Sequence, residues 1–252
     1  NLIKSKKIFV NKKELVIINK ESREIIEFNW KYTYKNKIKC DLILKKSSIC
    51  VLKGESGIGK TTFLDLFSGL LNPNNSRWQI KLDKEINKSF IGEEGASLIK
   101  NLLTYCTQES FFFEGSLKDN LIFSRLLNTS DNLKIDNIIR DLLVELDLKK
   151  ILDRDYSLKK PINLAMDFYS GGEKKRLGLI RTFLKDKAIE IYDEPTSYLD
   201  EEGGKKVINL LKERSKEKII IISTHDEKII DIADQVININ DYKDLIDSVR
   251  RV

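Results

Sequence analysis

The chain has 252 residues, 41% hydrophobic and 33% charged, with a formal net charge of +6. That length and composition suit one large domain with a sizeable core. No stretch approaches the about 20 apolar residues of a membrane span, and no long apolar core follows the early lysines as in a signal peptide. Acidic and basic residues are interspersed nearly everywhere, which favours lysines on solvated faces over a nucleic-acid surface. The sole methionine is Met166, which fits a piece of a longer polypeptide. Cys40, Cys50 and Cys106 lack metal-ligand spacing and fall in predicted strands, as buried reduced thiols do.

Residues 1–50 alternate in the manner of strands and carry no chemical motif. Residues 25–34 and 38–44 read as an antiparallel pair around Lys35-Asn36-Lys37. Phe28, Trp30, Tyr32 and Tyr34 cluster here; at least two are expected to pack inward, while one near the strand end can stack on a nucleotide base.

Residues 48–53 form an apolar strand that runs into Gly54-Glu55-Ser56-Gly57-Ile58-Gly59-Lys60-Thr61-Thr62. This is the phosphate-loop pattern, followed by helical apolar spacing over residues 62–71. The glycines let successive N–H groups turn inward toward phosphate oxygens. Lys60 adds a point charge for the outer phosphates, and the Thr61 hydroxyl is placed for Mg²⁺. A nucleoside triphosphate is the ligand this pattern predicts.

Residues 72–76 are a turn, 78–82 a strand, 91–95 a loop, and 103–106 a strand ending at Thr107-Gln108. After Phe111, Phe112 and Phe113, Ser116 caps a helix through Leu117, Asn120, Leu121 and Leu126. Ile135, Ile138, Ile139, Leu142 and Leu146 give the clearest helical period, over residues 131–148 with Asp131 near the start. Residues 112–168 therefore read as a helical insertion, without the heptads of a coiled coil.

Ser170-Gly171-Gly172 opens a helix whose apolar face includes Leu177, Ile180, Phe183 and Leu184. Its free N–H groups and dipole make it a second anion site. Residues 188–192 form a strand running into Asp193-Glu194, a pair suited to holding a metal shell and polarising a water. Residues 196–200 turn into a helix through Val207, Leu210 and Leu211. The strand at 219–223 ends at Thr224-His225-Asp226, where open α/β sheets place ligands. A strand at 236–239 and a helix at 241–249 close the chain.

In this order and spacing the motifs resemble the nucleotide-binding domain of an ATP-binding cassette (ABC) transporter. The resemblance covers about residues 28–236. It implies an α/β P-loop NTPase (RecA-like) core with an antiparallel β-subdomain and an inserted α-helical subdomain, residues 1–252 forming a single cassette. It also implies ATP and Mg²⁺ as cofactors. Carried over by position, Tyr34 matches the adenine-stacking aromatic, with Tyr32 as the alternative. Gly54, Glu55, Ser56, Gly57, Ile58, Gly59, Lys60, Thr61 and Thr62 form the Walker A loop, and Gln108 is the Q-loop glutamine that senses Mg²⁺. Ser170, Gly171, Gly172 and Glu173 resemble the signature motif, which completes the site of an opposite subunit in a head-to-tail homodimer. Asp193 is the Walker B aspartate, Glu194 the catalytic base, residues 197–200 the D-loop and His225 the switch histidine. Thr61, Gln108 and Asp193 make the metal set.

The aromatic run, Gly115-Ser116 and the Asn120 helix are similar to the exporter pattern, as are the strands before Phe28. Residues 163–168 do not match the loop that exporters carry before the signature, and Pro195 is common outside exporters. Tyr169 replaces the usual leucine, Glu173 the usual glutamine, Glu190 interrupts the Walker B strand and Tyr198 is bulky for the D-loop. The phenylalanine run reads either as helical-subdomain core or as a dock for a transmembrane coupling helix. The function implied is ATP hydrolysis powering transport across a membrane, at the cytoplasmic face and beside a transmembrane domain, fused or separate. The alternative is a non-transport ABC ATPase acting on DNA or ribosomes. The missing heptads and the single cassette speak against it, and no specific nucleic acid is expected as a partner.

Overall fold

The computed structural model describes residues 25–82, 87–122, 132–154, 161–162 and 169–250. The expectations about residues 1–24, Leu126, Asp131 and residues 163–168 lie outside it.

Strands β1 (Ile25–Tyr34) and β2 (Lys37–Lys45) form the expected antiparallel hairpin. Lys35 and Asn36 both take positive φ, 48° and 59°, as a tight two-residue hairpin turn requires. Strand β3 (Ser48–Lys53) leads through the glycine loop into helix α1 (Lys60–Phe67). Strand β4 (Ser76–Leu82) pairs with the other side of β1, and β5 (Asn87–Ile91) pairs with β4, giving a four-stranded sheet in the order β2-β1-β4-β5.

This sheet buries one face. Cys40, Leu42 and Leu44 of β2 point inward, while Ile43 is 48% exposed. Phe28, Trp30 and Tyr32 are all fully buried. Trp30 packs edge-on against Phe63 and Phe67 of α1 at 5.3 and 5.5 Å. Trp78 also points inward, and its Nε1 donates to the Phe67 carbonyl at 2.8 Å. The aromatic strands thus clamp the helix that follows the phosphate loop.

The start of α2 and the end of α1 depart most from the sequence reading. Residues 91–95 are not a loop: helix α2 (Gly92–Leu102) starts at Gly92, with Glu93 and Glu94 in its first turn. Carboxylates there favour the helix dipole, and Ala96, Ile99 and Leu102 bury its face. Gly95 serves packing rather than turning, since a Cβ there would lie 2.9 Å from the Phe90 backbone. Helix α1 stops at Phe67 rather than continuing to Leu71, because Gly69 takes a left-handed φ of 70°.

Strand β6 (Leu103–Cys106) follows α2. A short strand β7 (Gly115–Ser116) opens α3 (Leu117–Ile122), followed by α4 (Asn132–Glu145) and α5 (Lys149–Arg154). Ser116 Oγ accepts from the Asp119 N–H at 3.0 Å, the expected cap. Strand β8 (Pro161–Ile162) pairs with β7. Ile135, Ile139 and Leu146 are buried as expected, while Ile138 is 38% exposed.

Helix α6 (Gly171–Lys185), strand β9 (Ile189–Asp193), helix α7 (Glu201–Ser215), strand β10 (Ile219–Thr224), the short α8 (Glu227–Ile230), strand β11 (Gln235–Asn238) and α9 (Lys243–Arg250) complete the described chain. Five strands pair in parallel in the order β11-β3-β10-β9-β6. Ile219 and Ile221 join the core that holds α1; Ile220 and Ile222 join the core that holds α6 and α4. Each face of a parallel sheet is covered, so its strands read as continuous apolar runs. All three cysteines are buried and free, and burial pushes the Cys50 thiol up to about 12.

Candidate nucleotide site

In the parallel sheet, the carboxyl ends of β3, β10 and β9 lie side by side. Ser223 is in register with Leu52 on one side and Asp193 on the other. Three motifs far apart in sequence therefore meet: the glycine loop after β3, Asp193-Glu194 after β9, and Thr224-His225 after β10.

The loop itself is exposed at Glu55, Ser56 and Gly57. Gly57 and Gly59 have φ of 77° and 119°, backbone shapes that L side chains rarely adopt. A Cβ on Gly59 would also collide with Ile246 of α9, at 2.6 Å from its Cγ2. Lys60 is 8% exposed and curls back over the loop, donating to the Gly54 and Glu55 carbonyls at 2.8 and 3.3 Å. Its Nζ lies 3.5 Å from Glu194 Oε1. The Thr61 hydroxyl donates to Asp193 Oδ2 at 2.7 Å.

Asp193 is held from its other side by the Ser223 hydroxyl, which donates to Oδ1. Glu194 has a φ of 47°, a left-handed backbone unusual for a residue with a side chain. Such a conformation costs about 1–3 kcal/mol and persists where neighbours over-determine it. Here the Glu194 N–H donates to the Ser223 carbonyl at 2.9 Å, and the Ser197 hydroxyl donates to the Glu194 carbonyl at 2.8 Å. The carboxylate accepts from the Thr224 hydroxyl at 3.2 Å and lies 3.1 Å from His225 Nδ1. The His225 side chain is 79% exposed, at the mouth of the site. Burial raises the Asp65 carboxyl, and the Asp193 charge raises it further.

Sequence reasoning missed Ser223 and Thr224 as the groups that fix the two carboxylates, and Ser197 as the group that holds the Glu194 backbone. For Ser223 and Thr224 the signal was the change from apolar to hydroxyl residues at the end of an isoleucine strand. It also missed Lys175, which is buried and donates to the Asp193 carbonyl at 2.7 Å. Burial pushes its ammonium below the usual lysine range. Gln108 is exposed just after β6, the strand beside β9, and its backbone carbonyl accepts from Lys175 at 3.2 Å.

Ser170 caps α6 in a reciprocal box. Its hydroxyl accepts from the Glu173 N–H at 3.2 Å, and its own N–H donates to the Glu173 carboxylate at 2.7 Å. Glu173 thus fits where a glutamine is usual. Ser170 and Glu173 line a cleft with Arg176, Asp200 and Gly203, while Gly171 lines a cavity of about 260 Å³ with Gln108, Lys174 and Tyr198. Among the adenine candidates, Tyr32 is excluded. It is fully buried, and its hydroxyl accepts from Asn75 at 3.3 Å. Tyr34 is half-buried, with the Lys35 ammonium 5.4 Å from its ring centre.

The chain is similar in sequence and fold to known proteins. The family model described as ABC transporter matches residues 39–197. The macrolide export ATP-binding/permease protein MacB of Bartonella henselae is 28% identical over 220 residues, 84% of this chain and 31% of its own length. The chain thus spans about a third of that relative. The lipoprotein-releasing system ATP-binding protein LolD of Wigglesworthia glossinidia brevipalpis is 29% identical over 220 residues, 84% of this chain and 91% of its own. A bacterial Atm1-family ABC exporter solved with ATP bound shares the fold, with a TM-score of 0.66 and 18% identity over 84% of this chain and 37% of its own. No described helix is long and apolar enough to cross a membrane. With the family match spanning more than half of its length, the chain belongs to the ABC transporter family, as a nucleotide-binding ATPase domain.

Proposed function

We propose that residues 1–252 form one ATP-binding cassette that hydrolyses ATP to power export of a substrate across a membrane, working at the cytoplasmic face beside a transmembrane partner. The observation that carries this reading is the meeting of Lys60, Thr61, Asp193, Glu194 and His225 at the adjacent carboxyl ends of β3, β9 and β10. The phosphates of ATP sit on the N–H groups of residues 54–62 at the start of α1. Lys60 leaves its carbonyl partners and turns to the outer phosphates, which frees Glu194 from its ion pair. Tyr34 offers its ring to the adenine.

The hydroxyl of Thr61 and the carboxylate of Asp193 are hard oxygen donors 2.7 Å apart, the donor chemistry Mg²⁺ prefers. Thr61 and Asp193, with Gln108, would hold the ion, which when bound neutralises charge on the β- and γ-phosphates. Glu194 accepts a proton from water as the water oxygen bonds to the γ-phosphorus and the bond to the ADP oxygen breaks. His225 holds the Glu194 carboxylate toward the γ-phosphate.

Ser170, Gly171, Gly172 and Glu173 would complete the site of a second copy in a head-to-tail dimer, which supports an isologous two-fold interface. Export rather than import is supported by the aromatic stretch before Ser116 and by the macrolide export relative. Its joint ATP-binding/permease name supports a membrane partner. Phosphate release from ATP by the purified chain, with and without Mg²⁺, tests the reading. Mg²⁺-dependent turnover supports it; binding without turnover in either condition overturns it.

A further inference from the structure

We propose that Lys175 is a positioning residue that holds the Q-loop backbone in register with the end of β9, tying the metal-bearing and catalytic carboxylates to the signature helix. This rests on the ATPase reading above.

Strands β6 and β9 pair as far as Cys106 and Tyr192. Beyond that pair lie Thr107 and Gln108 on one strand and Asp193 on the other. Lys175, 2% exposed on the second turn of α6, reaches into this gap. Its Nζ donates to the carbonyls of Asp193, Gln108 and Thr107 at 2.7, 3.2 and 3.4 Å. An ammonium carries three N–H donors and no acceptor, so three converging carbonyls match its capacity. The side chain continues by ion–dipole bonds a ladder that the backbones no longer make.

The same helix face fastens the rest of the segment. At Gly178 the helix passes close to Ser110, whose hydroxyl would have to move for a Cβ to fit. Arg181 donates to the Phe111 carbonyl at 2.8 Å and to the Asn120 carbonyl at 2.9 Å, with its guanidinium 4.7 Å from the Phe112 ring centre. Residues 107–112 are thus attached to α6 at successive points, with Phe111 74% exposed near the far end. Of these attachments, Lys175 is the one that also touches the catalytic strand.

The test compares the wild-type chain with Lys175→Met, which keeps length and removes the donors, and Lys175→Gln, which keeps N–H donors. Steady-state hydrolysis of Mg-ATP and hydrogen–deuterium exchange are measured on each. Mispositioning by about 1 Å is enough to lower kcat about a hundredfold in Lys175→Met, with Lys175→Gln about tenfold below wild type. KM for ATP stays within about threefold, because the phosphate loop is untouched. Amides of residues 107–110 exchange about tenfold faster in Lys175→Met, while those of β10 keep their protection. Wild-type kcat in Lys175→Met overturns the inference, and so does faster exchange throughout β10, the mark of a merely structural role. Should Lys175→Met not fold, wild-type kcat in Lys175→Gln overturns it equally. A wild-type chain without turnover counts against the ATPase reading instead, and the exchange of residues 107–110 then decides Lys175 alone.

Discussion

The two sheets solve the same packing problem with opposite consequences for chemistry. Strands β3, β9 and β10 are buried on both faces, so their side chains are committed to two cores and only their carboxyl ends are left for function. All three ends turn polar at the same level of the sheet: Lys53 before the glycine loop, Asp193-Glu194, and Ser223-Thr224. The four-stranded sheet buries one face and sets its aromatics against α1, and Tyr34 is its proposed share of the site. One sheet carries reacting groups at a shared edge; the other fixes the helix on which Lys60 and Thr61 sit. On the proposed reading, catalysis and stability separate by region, and mutations should sort accordingly.

The largest effect is expected at the edge of the parallel sheet. Glu194→Gln keeps the hydrogen bonds to Thr224 and His225 within reach but removes the proton acceptor. Turnover should fall by about 10²–10⁴-fold while ATP binding persists, as read by phosphate release and by equilibrium nucleotide binding. Wild-type turnover in this variant excludes Glu194 as the base. The mirror experiment is Trp78→Ala in the antiparallel sheet. It empties a fully buried site and orphans the Phe67 carbonyl. It should cost about 3–5 kcal/mol in denaturant unfolding, with turnover per folded molecule close to wild type. A selective loss of turnover at full stability would break the division between the sheets.

A third change asks whether it is the sheet or its edge that matters. Glu190 lies inside β9, fully buried, and accepts from Arg214 Nε at 2.8 Å and from the Tyr192 hydroxyl at 2.6 Å. Lys218 stands 3.5 Å away. Burial opposes the Arg214 charge, but the Glu190 carboxylate outweighs it and raises that guanidinium further. Glu190→Leu leaves Arg214 without its carboxylate and should cost about 3 kcal/mol of stability. Turnover per folded molecule should survive, because Glu190 reaches toward α7 and away from the phosphate loop. Equal losses in both would mean that the strand acts as a whole.

These residues also mark what could be read without the fold. The hairpin at Lys35-Asn36, the glycine loop, the capped start of α6 and the polar strand ends all announce themselves locally, through turn chemistry, capping and periodicity. Glu190 was visible only as an interruption of an apolar strand. Its partner Arg214 is 24 residues away on α7, so no local pattern could join them. Lys175 carried no local signal, because only where β6 and β9 stop pairing does it find three carbonyls to hold. Gly92 and Gly95 misled in the other direction. Glycine signals a turn in sequence, yet Gly95 exists so that α2 can lie against Phe90 and Trp78.

The smallest expected effect is at Tyr34, and it is the one that measures what the antiparallel sheet contributes to the ligand. Tyr32 has no free ring face, whereas Tyr34 lies at the end of β1 with its ring half-buried against the core. A flat ring there can stack on an adenine, and Lys35 over that ring adds a cation beside it. Tyr34→Leu preserves apolar packing but removes the flat face. The affinity for ATP should weaken by about 1–2 kcal/mol, roughly tenfold, while kcat at saturating ATP stays unchanged. Titration with ATP and with a nucleoside triphosphate carrying a smaller base separates the causes. If stacking is the source, the variant loses much of the preference for adenine over the smaller base. If both nucleotides weaken equally, Tyr34 acts by holding the hairpin, and the antiparallel sheet touches the ligand only through α1.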